Sequence, residues 1–82
     1  MRIELACCEM VIENEIAQGA TQKDVALTYA MALASTWPTD WVRVNKAILA
    51  KWPKGLKRIK EMAWKLVEQK RKETLKDMAE SN

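Results

Sequence analysis

The sequence predicts an all-α protein, a compact domain of four helices with a long last helix. Only two Gly and two Pro occur among the 82 residues, and a fold of many strands needs more turn-forming residues than that. Apolar residues form 49% and charged residues 30% of the chain, a mixture typical of a globular domain and not of a disordered segment. A chain of this length makes one domain with a modest core, which we expect to span about residues 3–67.

The first predicted helix covers residues 3–18. Apolar residues recur at helical spacing along one face, namely Leu5, Cys8, Ile12 and Ile16. Further apolar residues cover much of a second face, and acidic residues lie in narrow strips between the two. A helix that is apolar on two sides is either enclosed in the core or shared with a partner, so a homodimer through this helix is one expectation. Gly19 follows, at a position where glycine commonly ends a helix.

The second predicted helix begins at Thr21 and ends near residue 34. Thr21 and Asp24 have nearly the spacing and chemistry of a capping box, in which each side chain accepts a hydrogen bond from the other residue's backbone N–H group. Good helix formers follow in residues 25–34. Pro38 then ends the pattern, because the residue before a proline avoids the α region.

The third predicted helix starts after Thr39 or Asp40 and runs to about Lys51. Its buried stripe is predicted to contain Trp41, Val44, Ile48 and Trp52, with Val42 and Leu49 widening one side. Its outer face is predicted to contain Arg43, Lys46, Ala47, Ala50 and Lys51. Asn45 lies within the apolar arc, so we expect it to be a hydrogen-bonded structural residue.

The fourth predicted helix covers residues 56–79. Its apolar arc contains Leu56, Ile59, Met62, Ala63, Leu66 and Val67. The arc stops after Glu68, so residues 68–82 are expected to project from the core or to fray. We expect burial of Trp41, Ile48, Ile59, Ala63 and Leu66. Two Trp-Pro pairs interrupt the helices, at residues 37–38 and 52–53, and we interpret the four tryptophans as packing anchors.

The composition argues against catalysis, a metal site and a cofactor. The chain has no His, the commonest general acid or base and the commonest metal ligand. Two Cys cannot complete a tetrahedral zinc site, and two isolated Gly cannot form a Gly-rich phosphate loop. We interpret Cys7 and Cys8 as small apolar residues of the core in a reducing cytosol. A redox role is the alternative, but neither cysteine has a basic neighbour in the sequence that would activate the thiol.

The sequence also predicts a cytoplasmic protein. The longest nearly apolar run, residues 25–34, has ten residues, whereas a spanning helix needs about 20. Glu4 stands where a signal peptide would have its apolar segment.

Charge is distributed unevenly along the chain. Residues 1–40 carry two basic and six acidic residues, a net charge of −4, whereas residues 41–82 carry twelve basic and five acidic residues, a net charge of +7. Residues 41–60 contain no acid and seven basic residues: Arg43, Lys46, Lys51, Lys54, Lys57, Arg58 and Lys60. Like charges that are confined in this way repel one another, and a polyanion relieves that repulsion through counterion release.

These seven basic residues are the candidate nucleic-acid-binding residues, with DNA favoured over RNA. A basic stretch on a helix is usually a solvated face that keeps a protein soluble. Here the stretch lacks acids that are plentiful elsewhere, and the small residues Ala47 and Ala50 lie between the basic ones on the predicted outer face. It also follows a capped helix and a short break, which is the order of a helix-turn-helix protein.

The segment Thr21-Gln22-Lys23-Asp24-Val25-Ala26 resembles the start of the first helix in helix-turn-helix DNA-binding proteins. The resemblance covers six residues. It departs four residues after Ala26, where that family usually has Gly in the turn and this chain has Ala30. The resemblance implies that the third helix contacts the bases and that Lys54, Lys57, Arg58 and Lys60 hold phosphates.

Two other kinds of partner compete with nucleic acid. The first helix is too apolar for full exposure to solvent, so the alternative function is a protein-interaction module that binds and modulates another protein. The second is an anionic membrane surface. No helix combines a Lys-rich face with a broad, bulky apolar face, so we expect no membrane partner.

Overall fold

A computed structural model describes residues 7–80, with side chains as far as Lys72. The described chain consists of four helices and contains no strand: α1 (Cys8–Ala17), α2 (Gln22–Ala34), α3 (Trp41–Lys51) and α4 (Leu56–Glu80). This confirms the predicted all-α class and the long C-terminal helix. Residues 3–6 of the first predicted helix and residues 81–82 of the predicted tail lie outside the described residues, as do the tail's side chains from residue 73 onward.

Three helix ends follow the local chemistry that the sequence indicates. The start of the first helix does not: it was predicted to include Cys7, but Cys7 is extended and α1 begins at Cys8. The Asp24 N–H donates to Thr21 Oγ1 over 3.2 Å and the Thr21 N–H donates to Asp24 Oδ2 over 3.1 Å, which confirms the capping box. Of the two candidate caps of α3, it is Asp40 whose side chain accepts from the Arg43 N–H, over 3.2 Å. Gly19 has φ +86° after α1, so it adopts the left-handed conformation that favours glycine.

The helices pack around one core. Helix α2 lies along α4, and α1 packs against both α2 and α3, whereas α3 meets α4 over a short length. The fully buried residues with the largest side chains are Ile12, Ile48, Ile59, Val25, Val44 and Cys8. Residues from all four helices therefore contribute to this core.

The arrangement does not confirm a helix-turn-helix pair. The connection between α2 and α3 spans residues 35–40, longer than the usual turn of about three or four residues, and the Cα atoms of α2 and α3 stay more than 8 Å apart. The two helices meet through side chains. The rings of Tyr29 and Trp41 have centroids 4.7 Å apart, and the Tyr29 hydroxyl donates to Asn45 Oδ1 over 3.3 Å. The predicted structural role of Asn45 is confirmed.

Burial on α3 is narrower than the sequence suggests. Val44 and Ile48 are fully buried, but Val42 is 74% and Leu49 41% exposed, so the prediction that these two widen the buried stripe is wrong. The reason is that α3 packs mainly against α1, so that only the core-facing side of α3 is covered. Of the five residues predicted to be buried, Ile48, Ile59 and Ala63 are buried, and Trp41 and Leu66 are half-buried against the core.

Helix α1 is enclosed on one face and tied at its start to the segment before α3. Cys8 and Ile12 are fully buried, whereas Met10 is 43% exposed. The Cys8 N–H donates to the Pro38 carbonyl over 3.0 Å, and the Glu9 carboxylate accepts from the Asp40 N–H over 2.9 Å. That hydrogen bond is the main cause that lowers the pKa of Glu9. The enclosed position is thus observed, and a dimer through α1 stays a prediction.

Helix α4 extends well beyond the core. Among the side chains of α4 that the structure describes, Val67 is the last that packs against the buried cluster, and those of residues 68–72 are exposed. The backbone continues as helix to Glu80. At about 1.5 Å per residue, the part after Val67 is roughly 20 Å long.

Candidate nucleic-acid interface

The seven predicted basic residues all lie on the surface but do not share one face. Three lie on α3, one lies in the turn between α3 and α4, and three lie in the first turns of α4; these are, in order, Arg43, Lys46 and Lys51, then Lys54, then Lys57, Arg58 and Lys60. The fold separates them into an ion-paired residue, a group around the α3–α4 turn, a group on the outer side of α4, and an isolated Lys46.

Arg43 is paired with an acid that the sequence places 30 positions away. Its Nε and one terminal nitrogen donate to the two carboxylate oxygens of Glu13, both over 2.7 Å. This bidentate hydrogen bonding to Glu13 is the main cause that raises the pKa of Arg43. The pair joins α1 to α3 across the surface, so the positive charge of Arg43 is largely compensated. Residues 41–60 contain no acid in the sequence, but in the folded protein the Glu13 carboxylate lies against one of their cations, Arg43.

The turn between α3 and α4 brings three of the predicted residues together. A shallow groove is lined by Gln22, Lys51, Trp52, Pro53, Lys54, Gly55 and Arg58. We call these residues the turn groove. No acidic residue lines it in the described part of the chain. It therefore presents three cations and the amide of Gln22, which the helix start of α2 contributes and which the sequence analysis did not single out.

The turn groove is held by tight packing around Trp52. The Trp52 N–H donates to the Ile48 carbonyl over 2.7 Å, and the Gly55 N–H donates to the Trp52 carbonyl over 2.9 Å. Trp52 is half-buried against the core, and Gly55 is buried beneath it. A Cβ atom at residue 55 would lie 2.7 Å from Trp52 Cβ, so the turn closes this tightly only with glycine. The cations of the groove are thus carried on a fixed backbone.

The start of α4 adds partial positive charge at the same place. The backbone N–H groups of Leu56, Lys57 and Arg58 precede the first intrahelical hydrogen bond, which the Ile59 N–H makes to the Gly55 carbonyl over 2.9 Å. Such N–H groups carry the positive end of the helix dipole. This field reinforces that of the lysines around it.

A second groove lies on the outer side of α4 and contains an exposed tryptophan. Its lining residues are Leu56, Lys57, Lys60, Glu61, Trp64, Lys65 and Glu68, and we call it the Trp64 groove. Arg58 and Lys60 lie about 200° apart around the helix axis at 3.6 residues per turn, which is why they line different grooves. The two grooves therefore flank the beginning of α4.

Trp64 differs from the other three tryptophans. Trp37, Trp41 and Trp52 pack against the core, whereas Trp64 is 51% exposed. The interpretation of all four as packing anchors is therefore wrong for Trp64. The signal was present in the sequence, because Trp64 lies outside the apolar arc of α4, about 100° from Ala63 at helical periodicity.

Lys46 stands apart from both grooves, whereas Lys51, at the end of the same outer face of α3, lines the turn groove. Lys46, Ala50 and Lys51 are exposed as predicted, and Ala47 is half-buried. Lys46 lines neither groove. The exposed neighbours of Lys46 on α3 include Val42, which is apolar.

An apolar groove between α2 and α4 was not predicted. It is lined mostly by apolar residues: Leu27, Ala30, Met31, Ala34, Leu66, Val67, Gln69 and Lys70. Leu27 and Met31 are 54% and 57% exposed. The sequence gives little warning of this exposed stripe, because α2 is apolar around most of its circumference and only packing decides which side is covered.

The two cysteines are unpaired, and the pKa of each thiol is raised. Cys8 is fully buried, and burial is the main cause that raises its pKa to about 11. Cys7 is half-buried, and its pKa is raised as well. A protonated thiol is a poor nucleophile and a poor metal ligand. Among residues 7–72, whose side chains the structure describes, no group of three or more Cys, Asp or Glu side chains could hold a metal ion.

Comparisons with known proteins assign neither a family nor a function. No family model matches the chain, and searches of curated proteins and of solved structures find no significant match. The interpretation of the surface therefore rests on its own geometry and charge.

Proposed function

We propose that this protein is a non-catalytic nucleic-acid-binding regulator, with DNA as the favoured partner. The observation that carries the proposal is the turn groove, where Lys51, Lys54 and Arg58 converge and no acid is present among the described residues that line it. Lys57 and Lys60 extend the positive surface onto the Trp64 groove, and Lys46 adds a more distant charge. Arg43 supports the surface by fixing α3 on α1 through Glu13.

The physical basis is counterion release. None of the six cations other than Arg43 forms an ion pair with another described residue, so each is available to a phosphate. A protein that neutralises Z phosphates of a duplex shows a slope of about −0.9Z in a plot of log K against log salt. If three to six of these cations engage, the slope lies between about −3 and −5.

The test is binding of a short fluorescent DNA, as a single strand and as a duplex, measured by anisotropy at about 50 and 200 mM salt. The double substitution Lys54→Glu with Arg58→Glu removes two cations of the turn groove. Its matched control, Lys23→Glu with Lys72→Glu, changes the net charge equally at exposed sites outside both grooves.

We expect the turn-groove variant to lose at least about tenfold affinity at low salt and the control to lose no more than about threefold. Absence of binding to either form of DNA at low salt overturns the proposal. An equal loss in both variants would mean that net charge, and not the turn groove, is responsible. RNA of the same length, measured in parallel, tests the preference for DNA.

A second candidate function is a protein-interaction module, favoured by the apolar groove between α2 and α4. Leu27 and Met31 expose about half of their surface there, and exposed apolar patches commonly mark interaction sites. A homodimer, either through α1 or through this groove, is the simplest such assembly. Light scattering tests it: a mass of 9.4 kDa that does not change with concentration removes the dimer.

The proposed place of action is the cytoplasm, where Cys7 and Cys8 stay reduced. Within the described residues, no helix is both long enough and apolar enough to cross a membrane.

A further inference from the structure

We infer that Trp64 is a stacking platform for an unpaired base, so that the nucleic acid bound by this protein is a single strand or a single-stranded segment. This inference rests on the proposed function and specifies the form of its partner. It comes from the Trp64 groove, which combines a half-exposed indole with cations that lead toward the turn groove.

The described fold shows no packing role for the exposed side chain of Trp64. The residue is 51% exposed, and in the described chain the only contact between aromatic rings joins Tyr29 to Trp41. The core side of α4 is formed by other residues, among them Ile59 and Ala63. An indole in this position offers a flat face to a ligand without loss of packing in the core.

The cations around Trp64 are placed to hold a strand whose base lies on the indole. Side chains on a helix lean toward its N-terminus, so the indole lies over the turn that carries Lys60. Lys57 stands seven residues before Trp64, or about 10 Å along the axis. Lys54, in the turn before α4, lines the neighbouring turn groove, so cations lie along the helix from Trp64 to that turn.

The acids of this groove restrict the direction of the strand. Glu68 follows Trp64 by about one turn and repels phosphates there. Lys57 and Lys60 precede Trp64, as Glu61 does, so a strand that follows these lysines runs from Trp64 toward the start of α4. Lysines and one aromatic face suit a backbone with an unstacked base, which is the pattern of single-strand binding. A duplex keeps its bases stacked inside and cannot offer one to Trp64.

Charge complementarity favours this occupant over a membrane. A membrane-binding face needs a broad apolar surface, whereas the exposed residues that line the Trp64 groove besides Trp64 itself are all charged.

The test compares a short single-stranded DNA without self-complementarity with the blunt duplex formed by that strand and its complement, at low salt, for the wild type, Trp64→Ala and Trp64→Phe. Met31→Ala is the matched control, because Met31 is an apolar side chain of similar exposure on another helix. Circular dichroism checks that each variant keeps its fold. The difference between the fluorescence spectra of the wild type and of Trp64→Ala isolates the emission of Trp64, which a stacked base quenches.

We expect the wild type to bind the single strand more tightly than the duplex. Trp64→Ala should weaken single-strand binding by about 5- to 150-fold, the range for loss of one base–aromatic stack, and should leave duplex binding unchanged. Trp64→Phe should retain most of the affinity, and Met31→Ala should behave as the wild type.

Three results would overturn the inference. Equal binding of single strand and duplex, with no effect of Trp64→Ala, leaves the proposed function standing and removes the stacking role. An equal loss of affinity for both DNA forms in Trp64→Ala means that Trp64 supports the binding surface in general and does not stack on an unpaired base. Binding to anionic vesicles that depends on Trp64, without binding to DNA, assigns the face to a membrane and removes the proposed function as well.

Discussion

Replacing Gly55 by alanine would place a methyl group against Trp52 in the turn between α3 and α4. The new Cβ atom would lie 2.7 Å from Trp52 Cβ and 3.2 Å from Gln22 Nε2, whereas carbon atoms in favourable contact are about 3.5–4.0 Å apart. The Gln22 amide is at the end of a flexible side chain and can move. Trp52 Cβ is attached directly to the backbone, so the turn itself must shift.

The expected cost follows from two opposing effects. Overpacking of this kind costs about 1–3 kcal/mol. Alanine also restricts the unfolded chain, which returns about 0.4–1 kcal/mol, and the φ angle of Gly55 is not in the left-handed region, so no backbone strain is added. The net loss is about 1–2 kcal/mol, or a melting temperature lower by about 4–16 °C for a domain of this size.

Thermal melting followed by circular dichroism measures this loss, and Gly19 supplies the contrast. Gly19 has open space around its Cβ position but a φ of +86°, so there the strain is conformational. Asparagine tolerates that conformation better than alanine does, so Gly19→Asn should be milder than Gly19→Ala. At residue 55 asparagine should be at least as damaging as alanine. A Gly55→Ala variant that melts at or above the wild-type temperature would refute the steric argument.

Three further predictions concern the core and the titrating groups. Glu9→Gln should lower the free energy of unfolding at neutral pH and make that free energy fall less steeply in acid. The lowered pKa of Glu9 adds stability above about pH 4.5, its ordinary pKa, and this stability is lost as the pH falls through the pKa of the folded state. Urea midpoints measured across pH test this, and parallel curves for the variant and the wild type would contradict it. Ile48→Ala should cost about 2–5 kcal/mol in urea unfolding, whereas Leu49→Ala, at an exposed neighbour, should cost under about 1 kcal/mol. Iodoacetamide at mildly alkaline pH should label Cys7 before Cys8, since Cys8 is fully buried with a pKa of about 11; mass spectrometry of peptides checks the order, and equal labelling would show that Cys8 is accessible.

The helices and most of their ends were predictable because they depend on local chemistry, although the predicted first helix included Cys7 and α1 begins at Cys8. The capping box of Thr21 and Asp24, the cap at Asp40 and the left-handed Gly19 all involve residues within a few positions of one another. Hydrogen bonds of this kind form in the same way in most tertiary surroundings. The apolar arc of α4 was predictable for a related reason, since its spacing matches one helical face.

The composition of the candidate site was predictable, but its division was not. Seven cations within twenty residues are visible in the chain, whereas the pairing of Arg43 with Glu13 requires α1 to lie beside α3. The contribution of Gln22 to the turn groove likewise depends on the approach of α2 to the α3–α4 turn.

The sequence by itself determined the four helices, most of their ends, the absence of histidine chemistry and the concentration of positive charge in the second half. These features follow from residue identity and from neighbours at short spacing. Tertiary structure alone decided which apolar residues are covered, leaving Leu27, Met31 and Val42 exposed, and which cations keep their charge available. Those outcomes depend on which helices pack together, and the packing joins residues that are far apart in the chain.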